Sequence, residues 1–291
     1  MSAPLPATIP RYFVCVGAQK AGTTWLMRML SAHPDIFVTP VKEIHYFDHV
    51  RGITRHLSDK KRRSRHRKLY QRLLTQWDRL EQNRQHRQWF RRYMADPIGD
   101  AWYRSLFEER FGRSFAGEAT PEYSLIGADG YRHIQALAPE ARVVFVMRSP
   151  VAQMWSQILH HCRSEGLDAA RMSAGALVDL AGRERFAALG DYGATIDALR
   201  AVFPAEQLLF LFYEEIHLDR TRALEEVTGF IGARFSAEPF PAAETRFNRS
   251  QDVAAPEPVR EALRRTLKAR GEAVGARIGR LPEAWARELA P

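Results

Sequence analysis

Three short apolar runs mark candidate buried strands along the chain. They are Tyr12 to Val16, Arg142 to Met147 and Gln207 to Tyr213, and they are rich in β-branched and aromatic residues. Strands that are apolar on both faces are typical of a parallel sheet covered by helices on both sides. The pattern therefore predicts an α/β fold with a central parallel sheet flanked by helices.

Helical spacing of apolar residues recurs between and after these runs. The segments are Thr23 to Ala32, Val151 to Arg163, about Tyr192 to Phe203, about Asp219 to Ile231, and Glu257 to Gly271. A long polar stretch predicts a helical insertion at about residues 51 to 110, and a helical tail is expected at about residues 257 to 291. With 291 residues we expect one domain, because single cores stop growing at roughly 250 to 300 residues.

Composition narrows the class of protein. The chain is 45% hydrophobic and 26% charged, which is ordinary for a globular protein and excludes disorder throughout. Cys15 and Cys162 have no histidines at zinc-like spacing, so neither a disulfide framework nor a structural zinc is predicted. No apolar run approaches the ~20 residues that span a bilayer, and the first ten residues do not resemble a signal peptide. We therefore expect a cytoplasmic protein.

Positive charge is concentrated in one segment. Arg51 to Tyr93 contains 15 Lys or Arg and three acidic residues, whereas the net charge of the whole chain is +9. Such a basic segment suits an anionic substrate, a nucleic acid or a membrane surface. A solvated helical face is the simpler alternative.

The most informative stretch is Gly17 to Trp25 (GAQKAGTTW), which lies between a predicted strand and a predicted helix. Small residues let the backbone curl around a ligand, and the N–H groups and dipole of a helix N-terminus favour an anion. Lys20 adds a cation, and Thr23 and Thr24 add hydroxyl donors. We expect a phosphate-like group to bind here.

This loop departs from the loop that binds nucleoside triphosphates. In that motif Lys directly follows the last Gly and precedes a Ser or Thr that ligates magnesium, whereas Lys20 precedes Gly22 by two positions. The later strand, where a metal-binding Asp would be expected, ends at Arg148. A metal-free anion site is therefore predicted.

Two other functions remain as alternatives. A P-loop nucleotide kinase would be favoured by dependence on magnesium. A nucleic-acid-binding protein that uses Arg51 to Tyr93 has only the charge of that segment in its support, and we expect no nucleic-acid partner.

Three motifs together resemble the PAPS-dependent sulfotransferases, most closely the carbohydrate and heparan sulfate branch and its bacterial relatives. They are QKAGTTW after the first strand, KEIHYFD at Lys42 to Asp48, and RSPVAQMWS at Arg148 to Ser156. The resemblance spans Tyr12 to about Ile231 and implies a P-loop-like sulfotransferase fold. It also implies PAPS (3′-phosphoadenosine 5′-phosphosulfate) as co-substrate, PAP (adenosine 3′,5′-bisphosphate) as product, no metal, and a hydroxyl acceptor such as a saccharide or glycolipid.

The first two motifs carry most of the implied site. The family's 5′-phosphosulfate loop corresponds here to Lys20, Ala21, Gly22, Thr23 and Thr24. Lys20 would stabilise the leaving group, and Trp25 would either stack on adenine or belong to the core. The resemblance makes Glu43 the general base and His45 its helper. A plain ion pair between Glu43 and Lys42 is the alternative.

The third motif implies the contacts to the 3′-phosphate. Arg148 and Ser156 match the family's pair for this group, and both can face a crevice at the carboxyl edge of the sheet. The heparan sulfate branch closes its nucleotide site with a late basic loop. Arg249 is the corresponding candidate here. We expect the basic insertion to contact the acceptor or an anionic surface, which includes a membrane surface.

Overall fold

The computed structural model describes residues 7–74, 80–236, 240 and 253–290. Five strands form one sheet in the order β2-β3-β1-β4-β5, and every neighbouring pair is parallel. The strands are β1 Tyr12–Gly17, β2 Ile36–Val38, β3 Phe115–Ala119, β4 Arg142–Met147 and β5 Leu208–Phe212. The prediction of a central parallel sheet flanked by helices is confirmed.

Helices connect the strands and cover both faces of the sheet. In chain order they are α1 Thr23–Ala32, α2 Tyr46–Val50, α3 Asp59–Leu74, α4 Leu80–Tyr93, α5 Asp100–Ser105, α6 Gly127–Leu137, α7 Pro150–Ser164, α8 Ala174–Ala181, α9 Glu184–Leu189, α10 Tyr192–Arg200, α11 Tyr213–Leu218, α12 Arg220–Ile231, α13 Glu257–Ile278 and α14 Glu283–Leu289. Within the described ranges, no helix combines the length and the apolar character needed to cross a bilayer.

The sequence pattern found β1, β4 and β5 but missed β2 and β3. β2 has only three residues, and β3 (FAGEA) contains a glycine and a glutamate that strand patterns disfavour. Gly117 is required in β3 because a Cβ there would lie 2.3 Å from the carbonyl oxygen of Phe13 on β1. Glu118 is fully buried.

Helices α3, α4 and α5 lie between β2 and β3, inside the range expected for the insertion. Most cations of α3 are exposed or half-buried, but Arg62 is 1% exposed. Its guanidinium donates to the carbonyl oxygens of Tyr93 and Ala95 at 3.1 and 3.0 Å and forms ion pairs with Asp59 and Asp96. The expected basic surface is therefore interrupted at Arg62, which holds the insertion helices together.

The C-terminal helices brace the edge of the sheet near Arg148. α13 packs against α7, α8 and α10, and α14 carries Trp285 back to the end of β5. The indole of Trp285 donates to Glu214 Oε2 at 2.7 Å, and Glu214 Oε1 accepts the backbone N–H of Ser149 at 2.9 Å. The residue next to Arg148 is thus anchored by the chain's last helix.

Candidate active site

A cleft of about 860 Å³ opens at the carboxyl edge of the sheet, where residues that follow β1, β3, β4 and β5 converge. Ligands of open α/β sheets bind at this edge. The cleft is lined by most of the residues predicted from the sequence: Lys20, Gly22, Thr23, Thr24, Trp25, Glu43, His45, Arg148 and Ser156. Ala21 is buried and donates its N–H to the carbonyl of Ala18 at 3.2 Å. Arg249 lies outside the described residues.

The turn into α1 presents main-chain donors to this cleft. Gly22 has φ of 84°, in the left-handed region that favours glycine, and a Cβ there would lie 2.9 Å from the ring of Tyr213. Among the described residues, no protein acceptor is in hydrogen-bond range of the backbone N–H groups of Gly22, Thr23 and Thr24. Three donors at a helix N-terminus form a cradle for an anion.

Lys20 adds positive charge beside these donors. Its φ of 68° is unusual for a non-glycine residue, and its carbonyl oxygen accepts a hydrogen bond from Arg148 Nη1 at 3.2 Å. Burial lowers the pKa of the Lys20 ammonium, and the charges of Arg163, Arg148 and Lys42 lower it further. The crowding of cations means that a bound anion relieves repulsion between them.

Arg148 and Ser156 face the same cleft, as their spacing predicted. The guanidinium carbon of Arg148 lies 4.7 Å from the ring centroid of Tyr213. Its Nε is buried and has no hydrogen-bond partner among the described residues. Ser156 is buried on α7 and lines the cleft. A guanidinium and a hydroxyl that line one cleft are suited to a second anionic group.

Glu43 lies between two cations. Its Oε1 is 2.7 Å from Lys42 Nζ, and its Oε2 is 3.7 Å from His45 Nε2. Burial raises the pKa of the Glu43 carboxyl, but the nearby His45 and the charge and hydrogen bond of Lys42 outweigh it and lower the pKa to about 2. Glu43 is therefore an ionised carboxylate, and the ion pair with Lys42 considered from the sequence is present.

His45 is held between two carboxylates. Its Nδ1 is 2.8 Å from Asp48 Oδ2, and Asp48 also accepts a short hydrogen bond from Thr54. Burial lowers the pKa of His45, but its hydrogen bond with Asp48 and the attraction of the Glu43 carboxylate outweigh burial and raise the pKa to about 9. The imidazole is thus doubly protonated at neutral pH. In this state His45 can orient Glu43 but cannot act as a base.

A buried carboxylate on β3 fixes the loop that carries these groups. Glu43 and His45 both have positive φ, 62° and 60°, and Glu118 Oε2 accepts the backbone N–H of Ile44 between them at 3.2 Å. Glu118 also accepts hydrogen bonds from three hydroxyl groups, those of Tyr103, Thr120 and Tyr123. The sequence motif around Glu118 gave this residue no role, because its segment shows no strand-like pattern.

Other cleft residues also escaped sequence analysis. Arg163 lies seven residues after Ser156 on α7, so two helical turns place both on one face, a spacing that could have found it. Glu122 Oε1 accepts from Gln19 Nε2 at 3.1 Å and lies 3.6 Å from Arg185 Nη2. Burial raises the pKa of Glu122, and the charge of Glu43 raises it further.

One group of possible metal ligands occurs in the described chain. Ligand atoms of Glu43, His45 and Glu122 lie within 4.8 Å of one another. A metal ligand must be a deprotonated imidazole nitrogen, whereas His45 is stabilised in its charged form. Metal binding by this group would require His45 to lose a proton.

Comparisons with known proteins agree with this arrangement. A model of the sulfotransferase family matches residues 11–237. Human heparan sulfate glucosamine 3-O-sulfotransferase 6 is 25% identical over 224 residues, which cover 75% of this chain and 51% of that protein. The chain thus spans about half the length of this curated relative.

Solved structures show the same fold. A sulfotransferase from Alicyclobacillus acidocaldarius matches with a TM-score of 0.66 and 22% identity, over 96% of this chain and 99% of that one. The sulfotransferase domain from the curacin biosynthetic pathway matches with a TM-score of 0.55 and 14% identity, over 93% and 98% of the two chains. The P-loop-like fold expected from the sequence is confirmed.

Proposed function

This chain belongs to the sulfotransferase family, and we propose that it transfers the sulfuryl group of PAPS to a hydroxyl of an acceptor. One observation carries the proposal. The Lys42 ammonium lies 2.7 Å from Thr24 Oγ1 in the anion cradle and 2.7 Å from Glu43 Oε1. A donor anion and an ionised carboxylate can therefore act on the same reacting centre.

The cradle and the strand-end residues are suited to the two ends of PAPS. The N–H groups of Gly22, Thr23 and Thr24, with Lys20, would hold the 5′-phosphosulfate. Arg148 and Ser156, which line the same cleft, would hold the 3′-phosphate with a guanidinium fork and a hydroxyl donor. A cleft of about 860 Å³ is within the usual range for a ligand of this size.

The reaction is a single in-line displacement. The acceptor oxygen forms a bond to sulfur while the bond between sulfur and the bridging oxygen of the 5′-phosphate breaks, and PAP leaves. Glu43 takes the hydroxyl proton, and Lys20 stabilises the charge that develops on the bridging oxygen. Because a carboxylate of such low pKa is a weak base, we expect proton transfer when the forming S–O bond has made the hydroxyl acidic.

The transfer is proposed to need no metal ion. Lys20, Lys42 and Arg148 supply the positive charge that a metal would supply in phosphoryl transfer. We propose a saccharide or glycolipid acceptor by analogy with the human relative, whose name refers to heparan sulfate glucosamine. The cytoplasmic location expected from the sequence stays a prediction.

Isothermal titration calorimetry with a metal chelator present tests the donor. PAP should bind more tightly than AMP, because only PAP carries the 3′-phosphate. Equal affinities would contradict the assignment of Arg148 and Ser156. Binding of ATP that requires magnesium, without binding of PAP, would favour a nucleotide kinase. Incubation with PAPS and cell extract, followed by mass spectrometry, would then identify sulfated acceptors.

A further inference from the structure

A second cavity of about 780 Å³ lies between α1, β2 and the insertion helices α3 and α4. Its described lining includes five cations and no acidic residue: Arg28, Lys42, Arg65, Lys68 and Arg113. Charges of one sign around a concave, low-dielectric surface concentrate ions of the opposite sign. The cavity is thus built for an anionic group.

This cavity adjoins the cleft that contains Glu43. Thr24, Lys42 and Arg65 line both spaces. The guanidinium of Arg65 also donates to the carbonyl oxygen of Glu43 at 2.8 Å, so the insertion touches the loop of the candidate base. One molecule can therefore occupy the second cavity and present a hydroxyl to Glu43.

The remaining wall is partly apolar. Phe37 and Phe111 lie with ring centroids 5.8 Å apart, and Ile36 and Met27 complete this side. The ring of an acidic sugar has apolar faces that would pack against this wall, and its anionic groups would then reach the cations. A bare inorganic anion would leave the wall in water.

Helix α3 has two cationic faces of different kinds. Arg65, Lys68 and Gln71 follow one another at three-residue spacing and line the cavity. Lys60 and Arg63 are exposed, as is Lys68, but they line neither cavity. The same helix therefore offers cavity-lining cations and a matched set of cations that face solvent.

We propose that the second cavity binds a carboxylate, sulfate or phosphate group of the acceptor, on the same molecule as the hydroxyl that is sulfated. The link to a hydroxyl rests on the proposed function, whereas the anion site itself does not. The cations of the cavity would then select acidic acceptors over neutral ones.

The test compares two double variants of the full chain with the wild-type protein. Lys68→Gln with Arg113→Gln removes two cavity-lining charges, and Lys60→Gln with Arg63→Gln removes the same two charge types from outside it. Calorimetry would measure binding of a tetragalacturonate, which carries carboxylates, and of its methyl ester, which has the same skeleton without charge. Binding of PAP by all proteins would be measured in parallel.

Binding of the tetragalacturonate should weaken about tenfold in the cavity variant and less than about twofold in the outer variant, since close charge pairs outweigh diffuse ones. The methyl ester should bind the wild-type protein at least tenfold more weakly. Equal losses in both variants, or equal binding of the ester, would overturn the proposal. A short oligo-deoxythymidylate could instead bind the wild-type protein more tightly than the tetragalacturonate does and lose this binding in the cavity variant. That result would overturn the proposal and indicate that the cavity binds nucleic acid.

The parallel measurement separates the two proposals. If the cavity variant binds the tetragalacturonate more weakly than the outer variant does but no protein binds PAP, the anion site is supported and the proposed donor is refuted. Binding of PAP without discrimination would refute the anion site alone.

Discussion

Two cationic regions of this protein use their charge in different ways. In the cleft at the sheet edge, Arg148 donates a hydrogen bond to the main-chain carbonyl of Lys20, which ties Arg148 to the loop that carries Lys20. In the insertion, many cations lie along one polar helix, and among the described side chains of α3, Arg65 and Lys68 are the cations that line a cavity. A few fixed cations define a site more closely than many exposed ones.

Neighbours within the insertion show the same contrast. Arg62 is buried against carbonyl groups and two carboxylates, whereas Arg63 is exposed. Successive helix residues point about 100° apart, so adjacent arginines meet different surroundings. Charge along the sequence located the insertion, but the fold decides what each cation does.

The largest effect is expected at Glu43, where the two regions meet. Glu43→Gln keeps the shape of the side chain and removes the base, so turnover should fall by about 10² to 10⁴-fold while the affinity for PAP stays nearly unchanged. Steady-state kinetics and calorimetry measure the two quantities. The exposed Glu140→Gln is the control. Near-normal turnover of Glu43→Gln would remove Glu43 from the chemistry.

The next effect concerns stability and separates two adjacent arginines. Arg62→Gln loses hydrogen bonds to two carbonyls and two ion pairs, and should lower the free energy of unfolding by about 2 to 4 kcal/mol. Arg63→Gln should change it by less than about 0.5 kcal/mol. Urea denaturation compares the two variants. Equal changes would mean that Arg62 is no more structural than its neighbour.

Sequence patterns predicted most of the sheet and much of the cleft. β1, β4 and β5 are apolar runs, so hydrophobicity alone located them. β3 was missed because tertiary contacts, and not a hydrophobic pattern, make this segment a strand. Gly117 has no room for a Cβ beside Phe13, and Glu118 is buried with hydrogen-bond donors from distant segments. Such partners are set by tertiary structure and leave no local period.

The same limit applies to the site. Lys20 and Arg148 lie in recognisable motifs directly after predicted strands, so their place at the carboxyl edge of the sheet could be predicted. The structure brings them into one cleft as expected. The charge state of His45 could not be predicted, because it depends on Asp48 and Glu43 approaching one ring from two sides. From the sequence, His45 is expected to help the base; in the structure it is an imidazolium held by Asp48.

The proposed site for the 3′-phosphate is tested by Arg148→Ala. The variant should bind PAP with about 1.5 to 3 kcal/mol less free energy, the usual worth of hydrogen bonds to a charged group, while AMP binding hardly changes. Arg142→Ala is the matched control, because Arg142 begins the same strand and lies away from the cleft. A similar loss of AMP binding free energy would mean that Arg148 does not contact the 3′-phosphate.

A smaller, pH-dependent effect is expected from His45. Its pKa in the folded state is about 9, above the ordinary value of 6.5. Its contribution to stability should therefore be complete below about pH 6.5 and disappear as the pH rises through about 9. The difference in melting temperature between the wild-type protein and His45→Gln should shrink over that window. A difference that stays constant from pH 6 to 10 would contradict the charged state of His45.

The smallest effect is expected on the outer face of the insertion. Lys60, Lys61, Arg63 and Arg67 are exposed and line neither cavity, so changing all four to Gln should leave the melting temperature and PAP affinity almost unchanged. Exposed charges still attract anions over a Debye length of about 8 Å, so an acidic acceptor should lose some salt dependence of binding. Titration at two salt concentrations would measure this. Because Lys68 and Arg113 would contact the acceptor directly, their double variant must lose more affinity than this quadruple one; the reverse order would make the insertion a diffuse electrostatic surface without a site.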